Sequence, residues 1–494
     1  MRHQHLGAAL VRRGIPFALA ARRAVLFAST IAFVASLAVS AKQTKSSGND
    51  WTQFGGDVSG SSASSAPTGI TATNVSSLAR HQVTLDGVVD ASAIYLHGAN
   101  VKGGTHNVFF VTTTYGKTIA VDADAATILW EFTPSKYDSW ANSRQITNST
   151  PVADPDRQNI YAAAPDGTVN KLAVSDGHVV WSTPITNLPT REKMDSPLRV
   201  FRGRVIAVTG GYIGDATPYQ GHVAILDGQS GKVLHVWNTL CSDQSGLIAD
   251  PSKCSGQRSA IWGRAGAVID PATGNIFIAT GNGTYDGKTN WGDATLELNP
   301  DATQMLGNYT PEDNAELDAR DLDIGSTSPV WLGGDVIAQG GKDGLIRLLS
   351  LKSMSGTAPH AGGEIQNVPT PSGQRLLTAI AVWRNGGQTW LFSADGGGTA
   401  AWTYEAGKLN QQWKNTTGGT SPLVAGGLLY VYSPQGGLHV YDPAKGTQVT
   451  TLDCGSGHWN SPIVVDGRIA LPEGSSRQPS SSGILNIWTV AAGH

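Results

Sequence analysis

The chain has 494 residues, only 15% of them charged, and a formal net charge of −3. A near-neutral chain with no basic run beyond its leader excludes a nucleic-acid binder, which needs clustered lysine and arginine to neutralise phosphates. Sixty glycines, 14 tryptophans and four methionines suit a fold of many turns with large aromatic anchors.

Residues 1–41 read as a targeting segment. Arg12, Arg13, Arg22 and Arg23 form a basic region, and AVLFASTIAFVASLAVSA (24–41) an apolar one. Val39-Ser40-Ala41 is a small-residue cleavage site. Eighteen apolar residues stand at the lower limit for spanning a bilayer, so the segment is either a signal peptide that is removed or an uncleaved N-terminal anchor. The Ala-Arg-Arg-Ala-Val-Leu run is loosely like a twin-arginine signal, although paired arginines occur in any leader. No cysteine near its end offers a lipoprotein anchor. KQTKSSGND (42–50) is a polar linker, and the remainder, 51–494, is expected to be periplasmic or secreted.

Length alone suggests about three ordinary domains, but internal repeats override it. The clearest copy is 418–455, which divides into the strands SPLVAG, GLLYVYS, GLHVYD and TQVTTLD. Gly-Gly, Pro-Gln-Gly-Gly and Pro-Ala-Lys-Gly separate them, which is turn chemistry. One such sheet would leave an apolar face wet and two edges open, so it must be one of several. The next copy, HWNSPIVVDGRIALPEG, begins at once, with Pro422 and Pro462 40 residues apart. Earlier copies open at Thr150-Pro151, Ser196-Pro197 and Ser328-Pro329. Three more, starting near Ala91, Gly263 and Leu377, keep the pattern without the proline.

The last copy supplies only three strands, ending in ILNIWTV (484–490), and SLARHQVTL (77–85) is left over before the first. Joining the two closes a ring, which leaves only short, protected edges. The expected fold is all-β: an eight-bladed propeller of four-stranded antiparallel blades, closed by the N-terminal strand, with almost no helix.

The phrases KTIAVDADAATILWEF, HVAILDGQSGKVLHVW and GLHVYDPAKGTQV each have a strand ending near Asp, a glycine-containing turn and an outer strand. Together with WTQFGGD (51–57), this pattern resembles the pyrrolo-quinoline-quinone (PQQ) repeat propellers, the quinoprotein alcohol dehydrogenase-like family, over roughly residues 51–490. Such a repeat is specific for fold and weak for activity.

In a propeller, the links between blades and the loops from strand two to strand three share one face. Here they are the longer ones: GGYIGDATPYQG, GNGTYDGKTNWGD and NYTPEDNAELDARDLDIGSTS. A pocket is expected on that face. The resemblance implies four positions there, in the family's order. AIWGRAGAVIDP places Trp262 where the family stacks a tryptophan on the quinone. ATGNG places Asn282 at a calcium ligand, and DLDIGSTSP offers Asp321 and Asp323 as catalytic base and further metal ligands. GGKDG supplies Lys342 to the quinone. The DLDIGSTSP phrase is similar to that of the polyvinyl-alcohol dehydrogenase branch. Each residue has a bland alternative: Trp262 as inter-blade packing, Asn282 as a turn residue, the aspartates as caps, Lys342 as a solvated turn lysine.

The chemistry explains the residue types. A planar tricyclic quinone needs an aromatic floor, and its carboxylates and carbonyls need cations. Calcium prefers several oxygen ligands and acts as a Lewis acid. A carboxylate can accept the alcohol proton. Three departures stand against this: Tyr212 occupies the position of a usual glutamate ligand, with Asp215 as a substitute; the adjacent cysteine pair is missing; and no haem-attachment motif occurs. SKYDSWANSRQITNSTP, where that pair would lie, offers only Trp140 or Arg144 as a partial cover.

Cys241 and Cys254 flank a polar loop and are expected to form a disulfide in an exported protein, leaving Cys454 as a buried small residue. His458 precedes an inner strand and either faces the channel or serves as a hydrogen-bonded link residue. Two functions remain open. One is PQQ- and calcium-dependent oxidation of a small-molecule alcohol with a separate electron acceptor. The other is a non-catalytic propeller whose rim binds a protein or glycan. Membrane contact would come only from an uncleaved leader. A hydrolase or lyase has no motif in its favour: GxSxG, HExxH and a paired-carboxylate signature are all absent.

Overall fold

A computed structural model describes residues 50–212 and 216–490. The leader, the linker apart from Asp50, and Asp215 lie outside the described residues. Among the described residues no helix is long and apolar enough to cross a membrane.

Eight four-stranded antiparallel blades follow one another around the ring. Their inner strands are Ile94–Val101, Val152–Ala153, Arg199–Phe201, Val268–Ile269, Val330–Gly333, Ala381–Asn385, Leu423–Ala425 and Ile463–Val465; blades are numbered 1 to 8 in that order. The Ser-Pro and Thr-Pro pairs stand just before the inner strands of blades 2, 3, 5, 7 and 8, where a fixed φ and a missing N–H cost nothing. In blade 7 every residue of the second strand, Leu428–Tyr432, is buried. The outer strand, Gln448–Leu452, is mostly exposed or half-buried. That gradient follows from stacking: inner and middle strands lie between neighbouring blades, while outer strands meet water.

Ala79–Leu85 completes blade 8, running antiparallel to Gly483–Thr489 with Ala79 opposite Thr489 and Leu85 opposite Gly483. This is the expected clasp, two residues shorter at its start, where Val75–Ser77 forms a 3-10 turn. The apolar cores lie between blades. One cluster joins Phe110 and Trp130 of blade 1 to Ile160 and Leu172 of blade 2; another joins Ile206 and Trp237 of blade 3 to Ile276 and Leu296 of blade 4.

The repeat phrase has a mechanical reading. The aspartate ending strand three accepts backbone N–H groups of the following turn, as Asp122 does from Asp124 and Ala125 and Asp442 from Ala444 and Lys445. The tryptophan of strand four then docks on the turn of the next blade. Trp130 Nε1 donates to the Val174 carbonyl and Trp413 Nε1 to the Pro443 carbonyl, both at 2.9 Å. Glycine makes room for the ring: a Cβ on Gly446 would lie 2.4 Å from Trp413, and its φ of +69° disfavours a side chain as well.

Residues 51–64 use the innermost strands as a track. Trp51 bridges to Tyr95 of blade 1, and the Thr52 carbonyl accepts from Ala153 of blade 2. Arg199 of blade 3, fully buried, donates to the carbonyls of Phe54 at 2.6 Å and Asp57 at 3.0 Å. Val58 accepts from Ile269 of blade 4 and Ser61 from Val382 of blade 6, and Ala63–Ser64 pairs parallel to the inner strand of blade 7.

Among the described residues two short α-helices stand apart from the all-β plan. α1 (Asn314–Arg320) lies in the link between blades 4 and 5, inside the stretch expected to be a plain loop. α2 (Leu351–Met354) interrupts blade 5 after its third strand. The chain then returns to form the outer strand Gln366–Pro369, which the sequence period does not show. Cys241 and Cys254 are bonded, with Cα atoms 5.6 Å apart, and Cys454 is buried, its thiol pushed up to about 11 by burial, which makes it a poor nucleophile.

Candidate active site

Inter-blade links and strand-two to strand-three loops surround a cavity of about 830 Å3. Trp262, Asn282, Asp321 and Lys342 line it. Asp323, with no exposed side-chain surface, lies beneath and is held by Lys342. A second hollow of about 290 Å3 shares Trp262, Asp321 and Lys342 with it.

Local folding sets each of these residues. Trp262 enters from the link before blade 4 and is half-buried. Gly210 gives it space, since a Cβ there would lie 2.8 Å from the indole. A short ladder pairing Glu192 with Gly211 and Lys193 with Gly210 brings the Lys193 ammonium over Trp262, 5.9 Å from its ring centre. That contact lies within cation–π range. Asn282 follows the second strand of blade 4, and its Nδ2 donates to the Asp318 carbonyl at 3.0 Å. α1 covers this corner, anchored by Arg258 to Asp318 at 3.0 Å.

Asp321 ends α1 in the left-handed conformation, φ 54°, which turns its carboxylate back toward Lys342. The Lys342 backbone N–H donates to the Asp323 carbonyl at 2.9 Å. Its ammonium is 2.6 Å from Asp321 Oδ1 and 2.5 Å from Asp323 Oδ2. Burial alone would lower the lysine's pKa; Asp323 and then Asp321 outweigh it and hold the pKa above its ordinary value. Lys342 is therefore a fixed positive charge. The two aspartates differ: Asp323 is wholly buried, while Asp321 is 57% exposed and also reaches Arg375 at 3.3 Å.

Asp293 was not signalled by any sequence motif. Its φ is +50° and its side chain is buried, with neither carboxylate oxygen hydrogen-bonded among the described residues. Burial first, then the charges of Asp323 and Asp318, push its pKa up to about 8. Its backbone N–H donates to the Gly281 carbonyl at 3.1 Å. Gly325, two residues after Asp323, packs against the same backbone, where a Cβ would lie 2.3 Å from Gly281 N. Asn282, Asp293 and Asp323 thus come from three segments that meet at Gly281. Asp293 ends the glycine-rich loop GNGTYDGKTNWGD, and its sequence cue is an aspartate entering a buried strand with no turn to cap.

Tyr212 lines the cavity but turns its hydroxyl away, donating to the Pro165 carbonyl with the Pro189 carbonyl also near. Burial holds its phenol well above the ordinary range, so it offers no oxyanion to a metal. Trp140 is buried beside Tyr115, Ile146 and Ala164 in a small core of its own.

The opposite wall carries His458, Trp459, Ser476 and Arg477. His458 Nδ1 is 2.8 Å from Asp90 Oδ2, and Asp90 is fully buried. Burial would raise the Asp90 pKa, but His458, then Arg264 and Ser476, bring it below its ordinary value. Neither Asp90 nor its pairing with a residue 368 positions away is legible locally.

A planar anion suits the cavity, with an indole on one wall and Lys193, Lys342, Arg258 and Arg477 around it. A cation suits the corner at Gly281 by its donor chemistry: the Asn282 amide, the Asp323 carboxylate and the unpartnered Asp293 carboxylate are all hard oxygen donors. Among the described residues no three His, Cys, Asp or Glu side chains form a ready cluster, so the amide is needed to make the set.

The profile of a PQQ-repeat family described as outer membrane protein assembly factor BamB matches residues 55–247 and 374–478. The quinone alcohol dehydrogenase, dehydrogenase subunit, of Gluconobacter oxydans is 22% identical over 329 residues, which is 58% of this chain and 42% of that one. A polyvinylalcohol dehydrogenase from Pseudomonas sp is 23% identical over 42% of this chain and 33% of its own length. The chain thus spans less than half the length of these curated relatives. The crystal structure of a quinohemoprotein alcohol dehydrogenase from Comamonas testosteroni shares the fold, with a TM-score of 0.66 and 16% identity over 90% of this chain and 81% of that one.

Proposed function

The chain belongs to the PQQ-repeat propeller family, and from that premise we propose that it is a quinone-dependent dehydrogenase oxidising a small-molecule alcohol in the cavity. One observation carries the reading: Lys342, clamped between Asp321 and Asp323, faces the same cavity as the indole of Trp262. An aromatic wall beside a fixed ammonium suits a flat, anionic quinone better than a protein or glycan surface. The names of the relatives, quinone and polyvinylalcohol dehydrogenases, support the same class.

PQQ, when bound, supplies the two-electron acceptor. Trp262 would lie against its ring, and Lys193 and Lys342 would pair with its carboxylates and carbonyls. Calcium would be held by Asn282 and Asp323, with Asp321 at the open side and Asp293 as an added carboxylate. By the family resemblance, Asp321 or Asp323 takes the alcohol proton. The electrons leave through a separate acceptor. The leader points to work in the periplasm or outside the cell.

The test is reconstitution of the purified chain with PQQ and calcium chloride. The expected result is quenching of tryptophan fluorescence, a raised melting temperature and dye-linked alcohol oxidation. Absence of all three would remove the dehydrogenase reading. It would leave the rim-binding propeller, which Tyr212 in place of an acidic ligand favours.

A further inference from the structure

We propose that His458, held by Asp90, is the base that takes the hydroxyl proton of the substrate, in place of Asp321 or Asp323. The proposal rests on the quinone-dependent reading above and changes one assignment within it.

Asp90 behaves as a permanent carboxylate. It is fully buried, and every contact to its oxygens is a donor: Trp459 N at 2.6 Å, Ser476 N at 3.0 Å, Asn148 Nδ2 at 3.2 Å and His458 Nδ1 at 2.8 Å. An acceptor-only partner places the proton of a neutral imidazole on Nδ1, so the lone pair is on Nε2. That ring lines the cavity, and Nε2 has no hydrogen-bond partner among the described residues. The ring is also fixed in place. Trp459 lies against it with centroids 4.1 Å apart, and the His458 backbone N–H donates to Asn460 Oδ1 at 2.8 Å. A buried carboxylate behind an imidazole that presents Nε2 to a cavity is an arrangement suited to general-base catalysis.

The rival carboxylates are poorer bases. Both are within 2.6 Å of the Lys342 ammonium, and Asp321 also meets Arg375. Proton uptake there would break ion pairs. At His458 it creates an imidazolium against Asp90, which strengthens one. The charged groups facing His458 are Asp90 behind it, Arg264 over Trp459, Arg477 on its own wall, and Asp195, Lys342 and Asp321 across the cavity.

The step balances. The substrate O–H bond breaks and its proton forms an N–H bond at His458 Nε2. The adjacent C–H bond breaks with its electron pair, which passes as hydride to the bound quinone. The substrate is oxidised to a carbonyl and the quinone reduced by two electrons. His458 is then a catalytic residue and Asp90 a positioning residue.

The test uses the full chain with His458→Gln, Asp90→Asn and Asp321→Asn. In wild type without cofactor, histidine-ring 15N spectra at pH 8 should show His458 protonated on Nδ1, a signature lost in Asp90→Asn. With PQQ and calcium, His458→Gln should quench tryptophan fluorescence as wild type does while kcat falls at least a hundredfold with little change in KM. The acid limb of the kcat/KM profile should disappear, and Asp321→Asn should keep that limb. Quinone binding with kcat within threefold of wild type in His458→Gln overturns this assignment but leaves the dehydrogenase reading intact. A proton on Nε2 in wild type overturns it independently of activity. No quinone binding by wild type removes both. If Asp90→Asn does not fold, His458→Gln still decides.

Discussion

The two rims of the ring follow different rules. On the rim of the strand-three to strand-four turns, one device recurs: an aspartate closes the turn, a glycine yields space and the tryptophan of the preceding blade lies on it. The cavity rim repeats only the Ser-Pro or Thr-Pro entry to five inner strands; its loops differ in length and side chains. There the left-handed backbone is carried by glycines such as Gly116, Gly167 and Gly344 and also by Arg258, Ser259, Asp293 and Asp321, the last four at φ values of 84°, 53°, 50° and 54°. In the strand-three to strand-four turns the left-handed residue is small, glycine as at Gly446 or alanine as at Ala126, Ala302 and Ala406. Where the same backbone is held by a residue with a working side chain, the cost is met by the surrounding contacts. Regularity marks the scaffold and its loss marks the site.

The comparison can be broken at three points, in falling order of expected effect. Lys342→Met should cost about 3–5 kcal/mol, because it leaves the buried Asp323 without its counter-charge. Urea unfolding would measure this, and quinone affinity should fall with it. A loss below about 1 kcal/mol would mean that the Lys342–Asp323 pair contributes little to the fold. On the other rim, Gly446→Ala forces a side chain against Trp413 at a positive φ. It should cost about 2–3 kcal/mol in thermal melts and leave quinone binding unchanged.

The third concerns Asp293 and pH. Its folded pKa, about 8, exceeds the ordinary 3.8. The unfolded state therefore releases this proton first, and the native state loses stability as pH rises from about 4 to about 8. Melts of the metal-free protein from pH 5 to 9 should show that decline. Asp293→Asn should flatten it and raise stability at pH 8 by about 1–3 kcal/mol. Calcium should stabilise wild type at pH 8 and the variant much less. A wild-type profile parallel to that of the variant would show that the carboxylate is not held protonated.

The sequence made the ring legible because the ring is periodic. Ser-Pro and Thr-Pro pairs announced five inner strands, and the unpaired strand 77–85 had one open edge to fill. Blade 5 was only partly readable. The segment carrying α2 breaks the period, so Gln366–Pro369 looks like loop. In α1, Ala315, Glu316, Leu317, Ala319 and Arg320 are good helix formers within a link, hidden by the glycine and proline around it. Trp262, Asn282, Asp321, Asp323 and Lys342 could be named because they lie in phrases with a family resemblance. Asp90 and Asp293 could not, because what distinguishes them is burial and partnership across blades. Tyr212 was legible as a departure, but not the carbonyl that takes its hydroxyl.

The thread formed by residues 51–64 has a consequence for synthesis. It needs inner strands from blade 7 as partners, and Ala79–Leu85 waits for Gly483–Thr489. Both N-terminal pieces leave the ribosome long before their partners exist. Their stabilising pairings therefore form last, at high contact order, and the whole circle commits late and together.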